Sequence, residues 1–572
     1  MPLPPLSDRF PTVYAIRPLL RPSSSPTLLL ANRILRGKEL AYRSCIFLLA
    51  LVVTASTASC GNIIIDTSGV YVAQAPAGDK NGRGCSNARA LGDLTPADWV
   101  AGNTIHLCGT ITFPAGSAGL VAQGSGTSSS PIIVKFETNA ILEAPYFGGS
   151  LACWSAATCL SGIEIYGYHD IIVDGGTNGI IENTANGSDL ANQQSSAGLV
   201  ANGDRIIARN LTIKNIYIND PSTLDTKGAN SVDVLVFPGA TNVTLCDNKL
   251  SDARTGIDSA GAGTVVPVYP SPSCSSNTFT AGQNYFGNSL TDFCWMFNLG
   301  GSTANTINVF DNNILWTNNW VDANDDFHND GMIVYGTPQT TVYAYDNVFR
   351  GPMQGTANIY CTYTGSAGSG SSCYIFDNLM VQDASVANSG SAIWLNLTTG
   401  ETAAGPFYVY NNTIVNFGYF LELGGDIAGE TTIENNLVSE GTSGYNYFYM
   451  KGYGSNSLPS ILTTADYNSF YGGRGLSFTG AGYWCWPANG GSPSNCGSSY
   501  NGPWVRTGLD THSISANPQM NASYQLSSNS PDIRAGANLS SLCATPGLGP
   551  LCYDKNGVAR PLTGPWDIGA YQ

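Results

Sequence analysis

Six short stretches of this chain share one pattern: "TLCDNKL" (244–250), "NVFDNNI" (308–314), "YAYDNVF" (343–349), "YIFDNLM" (374–380), "YVYNNTI" (408–414) and "TIENNLV" (432–438). Each has an apolar residue, one intervening residue, Asp or Asn, then Asn, then one residue and a second apolar one. The shared asparagines are Asn248, Asn312, Asn347, Asn378, Asn412 and Asn436, at spacings of 64, 35, 31, 34 and 24 residues. Asn210 in "ARNLTI" and Asn468 in "DYNSF" extend the series at its two ends. A unit that recurs every few tens of residues builds a solenoid. In a parallel β-solenoid, equivalent residues stack roughly 4.8 Å apart along the axis. An asparagine at one bend then donates its side-chain amide to the same residue one rung away. Asp has no such donor and Gln is longer, so Asn recurs. The apolar neighbours Leu245, Val309, Ala344, Ile375, Val409 and Ile433 form a continuous core column. Phe310, Tyr345, Phe376 and Tyr410 are expected to stack along the axis. Turns of variable length account for the uneven spacing, and the interval of 64 is an insertion or two coils. Hairpins with Asn-rich loops would instead repeat Asn-Gly at two-residue turns, which is not what recurs.

The composition agrees with a turn-rich all-β chain: Gly is abundant at 66 of 572 residues, and charged residues are only 11%. Charge is acidic, with 24 Lys+Arg against 40 Asp+Glu, a net −16. That balance disfavours binding to nucleic acid or an anionic membrane, both of which need clustered Lys and Arg. An acidic polysaccharide would need local basic groups or a bridging cation.

The N-terminus reads as an export signal. Arg33, Arg36, Lys38 and Arg43 precede the apolar run "CIFLLALVV" (45–53) and the small residues "TASTASC" (54–60). The run is too short for a membrane span. Cleavage near this point and lipid attachment at Cys60 are both open. Residues 1–60 are therefore a leader, 61–480 the solenoid with its N-terminal cap, and 481–572 a closing segment. Cysteine usage fits an oxidising compartment, with near-sequence pairs Cys85/Cys108, Cys153/Cys159, Cys361/Cys373, Cys485/Cys496 and Cys543/Cys552. No CxxC-type metal cluster occurs. Of the remaining cysteines, Cys274 is expected to pair with Cys294, leaving Cys246 in a strand.

The chain resembles the right-handed parallel β-helix proteins of the pectin-lyase-like superfamily, in secreted bacterial form. "YVAQAPAGDKNGRGC" (71–85), "IHLCGTITF" (105–113) and "GSGTSSSPIIVKFETNAILEAP" (124–145) look like the cap and first rungs of that class. "NPQMNASYQLSSNSPDIRAGAN" (517–538) and "YDKNGVARPLTGPWDIGAYQ" (553–572) resemble its closing segment. The resemblance implies an exported, monomeric protein whose partner is a polysaccharide. It does not choose a chemistry, because the same scaffold carries lyases, hydrolases, epimerases and adhesins.

The densest ionisable stretch is "NDDFHNDGM" (324–332), a turn entering the strand pattern "GMIVYG" (331–336). "ARTGIDSA" (253–260) precedes a comparable strand. Elimination on a uronic-acid glycan is the leading reading. The resemblance implies Ca²⁺ held by aspartates, for which Asp322, Asp325, Asp326 and Asp330 offer hard oxygen ligands. Arg254, Lys249 or His328 would be the base, with Asp326 and Asp330 as further acid/base candidates. Asp258, Tyr335 and Arg350 are expected to contact substrate. Two carboxyls from the same set would instead suit a glycosidase. Asp326-Phe327-His328-Asn329-Asp330 distantly resembles the Asp-Pro-His-Asp motif of alginate epimerases, with Phe for Pro and an inserted Asn. A non-catalytic glycan-binding surface protein would use the same face, and a capped, solvated turn is the alternative without function. His106 reads as a core histidine, and His169 and His512 as surface residues.

Overall fold

The structure, a computed structural model, describes residues 69–148, 160–185, 194–216, 231–259, 273–300, 305–317, 329–336, 340–353, 355–363, 372–382, 390–397, 407–424, 431–439, 446–451, 462–472, 474–478, 482–485, 494–495 and 510–572. The chain divides into units of residues 1–65 and 66–572, and the described residues all belong to the second.

One coil shows the plan. A strand Thr241–Cys246 bends at Asp247-Asn248 into a short strand Lys249–Ser251, then turns into a third strand, Thr255–Ser259. The next two coils repeat it with Gln283–Phe286, Ser289–Thr291 and Trp295–Gly300, then Asn305–Phe310, Asn313–Leu315 and Asn329–Gly336. Equivalent strands pair in parallel, as in Leu245↔Tyr285↔Val309 and Asp258↔Asn298↔Ile333. Among the described residues, the first two strands of each coil gather in a 24-stranded sheet and the third strands in a 14-stranded one. Parallel strands joined by crossovers wind right-handed. At the far end of the second sheet the pairing turns antiparallel, Leu476↔Trp484 and Trp484↔Asn495.

The six asparagines stack in one column, and two more complete it. Asn248 Nδ2 donates to Asn288 Oδ1 at 3.0 Å, Asn288 to Asn312 at 3.0 Å and Asn312 to Asn347 at 3.0 Å. The row continues through Asn378, Asn412 and Asn436 to Asn468. Each amide also donates to a main-chain carbonyl of a neighbouring rung, such as Asn347 to Val309 O at 2.9 Å. These side chains are 0–2% exposed, so a lost partner costs about 1–3 kcal/mol. Asn288 resolves the long interval: it is two coils. Asn210 lies outside the column, donating instead to Asp174 Oδ1 at 3.1 Å.

The Asp or Asn that precedes each ladder residue has its own cause. Asp247, Asp311, Asp346, Asp377, Asn411 and Asn435 have φ between 51° and 61°, the left-handed region that Asn, Asp and Gly tolerate best. In the coil at 287 the residue is Gly, with φ 67° in the same left-handed region, and a Cβ there would meet Asp247 Oδ1 at 2.2 Å.

Inside, Leu245, Val309, Ala344, Ile375, Val409 and Ile433 are 0–1% exposed and belong to one core cluster. Outside the first sheet, Phe286, Phe310, Tyr345 and Phe376 stack with centroids 4.8–4.9 Å apart. Leu539, Leu548, Leu551 and Trp566 of the C-terminal segment cover that stack. Disulfides join Cys85–Cys108, Cys361–Cys373 and Cys543–Cys552 as expected. The expected Cys274–Cys294 pairing is corrected: Cys246 bonds Cys274, and the buried Cys294 takes no part in that bond. Cys246 faces outward next to Phe286, on the side that Cys274 reaches. The pairs Cys153/Cys159 and Cys485/Cys496 involve residues outside the described set.

Candidate functional site

Along Thr255–Ser259 the side chains alternate. Ile257 joins the core, and Ser259 Oγ accepts the Tyr285 hydroxyl at 2.7 Å inside the coil. Asp258 between them therefore points outward, in register with Leu235 before it and Asn298 after it. Arg254 sits in the turn just ahead of the strand, its main-chain N–H donating to Ser231 Oγ at 3.0 Å. Its guanidinium lies 4.7 Å from the Trp295 ring centroid, one coil on. Ser231, Arg254, Thr255, Asp258, Trp295 and Asn298 line one pocket of about 270 Å³ on this outer face.

Asp258 is only 3% exposed, and Asn298 Nδ2 donates to its Oδ2 at 2.7 Å. Burial pushes its carboxyl up to about 7, against the opposing pull of the Asn298 bond and the Arg254 charge. It therefore changes protonation state near neutral pH, beside a permanent cation and an indole face. Such a set can bind an anionic sugar and move a proton.

The structure brings Arg254 and Asp258 together, sets Asp330 in register with Trp295 one coil further on, and places Lys249 and Arg350 on the other sheet. Lys249 and Arg350 are exposed on short strands of the first sheet, and Arg350 lies 5.3 Å from the Tyr524 ring of the C-terminal segment. Asp330 is fully buried at the start of its strand. Its main-chain N–H donates to Cys294 O at 2.8 Å, and its Oδ1 accepts from Ala357 N at 3.1 Å. Tyr335 pairs in the ladder with Gly300 and Thr362, while its side chain lies outside the described set. Asp322, Asp325, Asp326 and His328 also lie outside the described residues. Among the described residues, no group of three or more His, Cys, Asp or Glu is placed to hold a metal ion. No helix among them is long and apolar enough to cross a membrane.

The other histidines behave as their sequence contexts suggest. His106 is 7% exposed, stacked on Tyr71 at 3.9 Å, with Nδ1 2.6 Å from Glu137. The His169 and His512 side chains are 47% and 60% exposed.

Sequence reasoning missed Trp295, Asn298 and Ser231. The signal was available in the ladder: Asn248 and Asn288 are 40 residues apart, the same offset that joins Asp258 to Asn298. Recognising "FGNSL" as a rung would have placed Trp295 and Asn298 above Thr255 and Asp258.

No sequence family matches the chain, and no characterised protein matches it in sequence. Similar solved structures include pectate lyase Pel9A, at 11% identity and TM-score 0.41, over 89% of this chain and 97% of that one. A Yersinia enterocolitica family 28 exopolygalacturonase aligns at 10% identity and TM-score 0.32, over 67% and 71% of the two chains. A Paenibacillus alginate lyase aligns at 12% identity and TM-score 0.23, over 61% and 91%. The strand register and the asparagine column of this chain are those of a parallel β-helix.

Proposed function

We propose that this protein is an exported enzyme that acts on a polysaccharide, cleaving it by β-elimination at a uronic-acid unit. The observation that carries the reading is the pocket in which Arg254, stacked on Trp295, lies beside the buried carboxyl of Asp258. Elimination needs a cation to offset the sugar carboxylate and a base to take the C5 proton. A guanidinium stacked on a ring presents its N–H fork sideways, the geometry that meets a carboxylate in a bidentate pair. The indole offers an apolar surface to the sugar ring. Asp258, ionised above about pH 7, is the base, and Asn298 fixes its orientation. Hydrolysis would require two carboxyls across the scissile bond. Of the described residues lining this pocket, Asp258 supplies one.

The acidic stretch remains part of the proposal. Asp322, Asp325 and Asp326 would hold Ca²⁺, with His328 as an additional proton-transfer group. Calcium would supply further neutralisation of the uronate. Asp330, the fourth aspartate of the set, accepts the Ala357 amide with its buried carboxylate.

Incubation with a panel of uronate-containing and neutral polysaccharides tests this, reading both unsaturated-uronate absorbance and reducing ends. The expected result is absorbance with the wild type and its loss in Arg254→Ala and Asp258→Asn. Reducing ends without absorbance would make the protein a hydrolase. Binding without either product would make it a glycan-binding surface protein. Activity that survives EDTA would remove calcium from the reading.

A further inference from the structure

We propose that the C-terminal segment, residues 530–572, is a proton-sensitive strap, keyed by the half-buried Lys555 and the buried Arg560 to a stack of aspartates on the first sheet and loosening as pH rises through neutrality. The left-handed residues of three successive rungs are Asp311, Asp346 and Asp377, and those of the next two are Asn411 and Asn435. Rungs lie roughly 4.8 Å apart, so three ionised carboxylates in that column repel one another. The strap meets them with Lys555 and Arg560. Lys555 Nζ donates to the Asp346 carbonyl oxygen. Arg560 Nη2 donates to Asp377 Oδ1 at 2.6 Å and to Gly569 O at 3.1 Å, with the paired side chains 0% and 1% exposed.

Where the column turns to asparagine, the strap uses neutral bonds. Asn435 Nδ2 donates to Ala537 O at 2.9 Å, and Ala537 N to Asn435 Oδ1 at 2.7 Å. Charge on the strap thus sits where the column is charged. A cavity of about 470 Å³ lies between Asp311, Asp346 and the 553–557 loop and does not extend to Asp377 or Arg560.

The groups that face one another can be counted. The sheet contributes Asp311, Asp346 and Asp377; the strap contributes Asp554, Lys555, Arg560 and the Tyr571 hydroxyl, with Arg350 beside Tyr571. Four carboxyls therefore meet the two cations of the strap, Lys555 and Arg560. Burial raises Asp377 to about 7, opposed chiefly by the Arg560 charge and bond. Burial, then the Asp377 charge, raises Asp346 well above the ordinary range. A carboxyl raised in the docked state holds a proton that the undocked state releases. Docking is then strongest in acid, and it weakens as pH climbs from the ordinary 3.8 to about 7 for Asp377, with the raised Asp346 acting in the same direction.

Amide hydrogen exchange on the full chain tests this, comparing the strap with rungs 70–148 in the same sample. The ratio removes the chemical dependence of exchange on pH. Between about pH 5.5 and about pH 8.5, strap protection should fall roughly tenfold or more relative to those rungs. Asp346→Asn with Asp377→Asn should flatten that dependence, and Asn411 and Asn435 show that the position accepts Asn. Trp566, 0% exposed with Arg560 5.4 Å from its ring, gives a second readout by fluorescence. A wild-type ratio that does not change with pH would overturn the proposal, with or without the variants. So would an undiminished pH dependence in the double variant.

Discussion

Two faces of this solenoid each bury an aspartate near an arginine, yet the surroundings differ in kind. Under the strap, Asp377 is bonded head-on by Arg560 at 2.6 Å, and neighbouring aromatic rings spend their faces on one another at 4.8–4.9 Å. On the second sheet, Asp258 takes a 2.7 Å bond from the neutral amide of Asn298, while the Arg254 guanidinium lies along an indole. Burial lifts both carboxyls to about 7. The shared shift therefore reports burial, and what separates the two is access: Arg254 and Asp258 line an open pocket, whereas Arg560 and Asp377 are sealed. A perturbed carboxyl marks a site only when a ligand can reach it.

The contrast can be broken most sharply at Asp258. Asp258→Asn should lower kcat about 10²-fold or more, because it removes the group that transfers the proton. It should leave stability intact, and it should flatten part of the pH profile. A raised carboxyl makes unfolding easier as pH rises from 3.8 to about 7, so the wild-type melting temperature should fall through that window more steeply than the variant's. Equal slopes would mean that Asp258 is ionised throughout.

The sealed pair predicts the reverse pattern. Arg560→Met leaves Asp377 uncompensated and should cost about 3–5 kcal/mol in urea unfolding, with much of the loss recovered by adding Asp377→Asn. Full stability in Arg560→Met would show that the strap is held by its apolar contacts alone. At the column between the faces, Asn347→Asp removes the donor that serves Asn378 and Val309 O. A loss of roughly 2–3 kcal/mol is expected, readable in the same denaturation curves. The smallest effect belongs to Lys249→Ala: Lys249 is exposed on the other sheet, so activity should change by less than roughly twofold. A larger drop would move the catalytic surface toward the short strands.

Much of the fold was readable because its determinants are local. A left-handed residue followed by a ladder asparagine is a two-letter signal, and it repeats at Asp247-Asn248, Asp346-Asn347 and Asn411-Asn412. Gly287-Asn288 escaped because Gly satisfies the same backbone need without resembling Asp or Asn. That single omission also hid the site. Arg254 and Asp258 were visible as residues, but Trp295 and Asn298 join them only through register, which depends on the number of coils between them. The Cys246–Cys274 bond escaped for a related reason, since sequence proximity does not say which way a strand residue points. Lys555 and Arg560 gave no signal of their own. Their partners lie 209 and 183 residues away, and no local pattern encodes that distance.

The asparagine column also has a direction. Every ladder asparagine donates to the asparagine of the next coil, so the side-chain row behaves like a one-way wire of aligned dipoles with distinct ends. Its acceptor end is closed by the Leu211 N–H, which donates to Asn248 Oδ1 at 3.0 Å. At the donor end, Asn468 Nδ2 reaches Asp510 Oδ1 at 3.0 Å, and a carboxylate has no amide with which to pass the chain on. Fibrils grow when such side-chain ladders run from one molecule into the next. Here both terminals are occupied from within the chain, so a second copy finds no unpaired asparagine to extend.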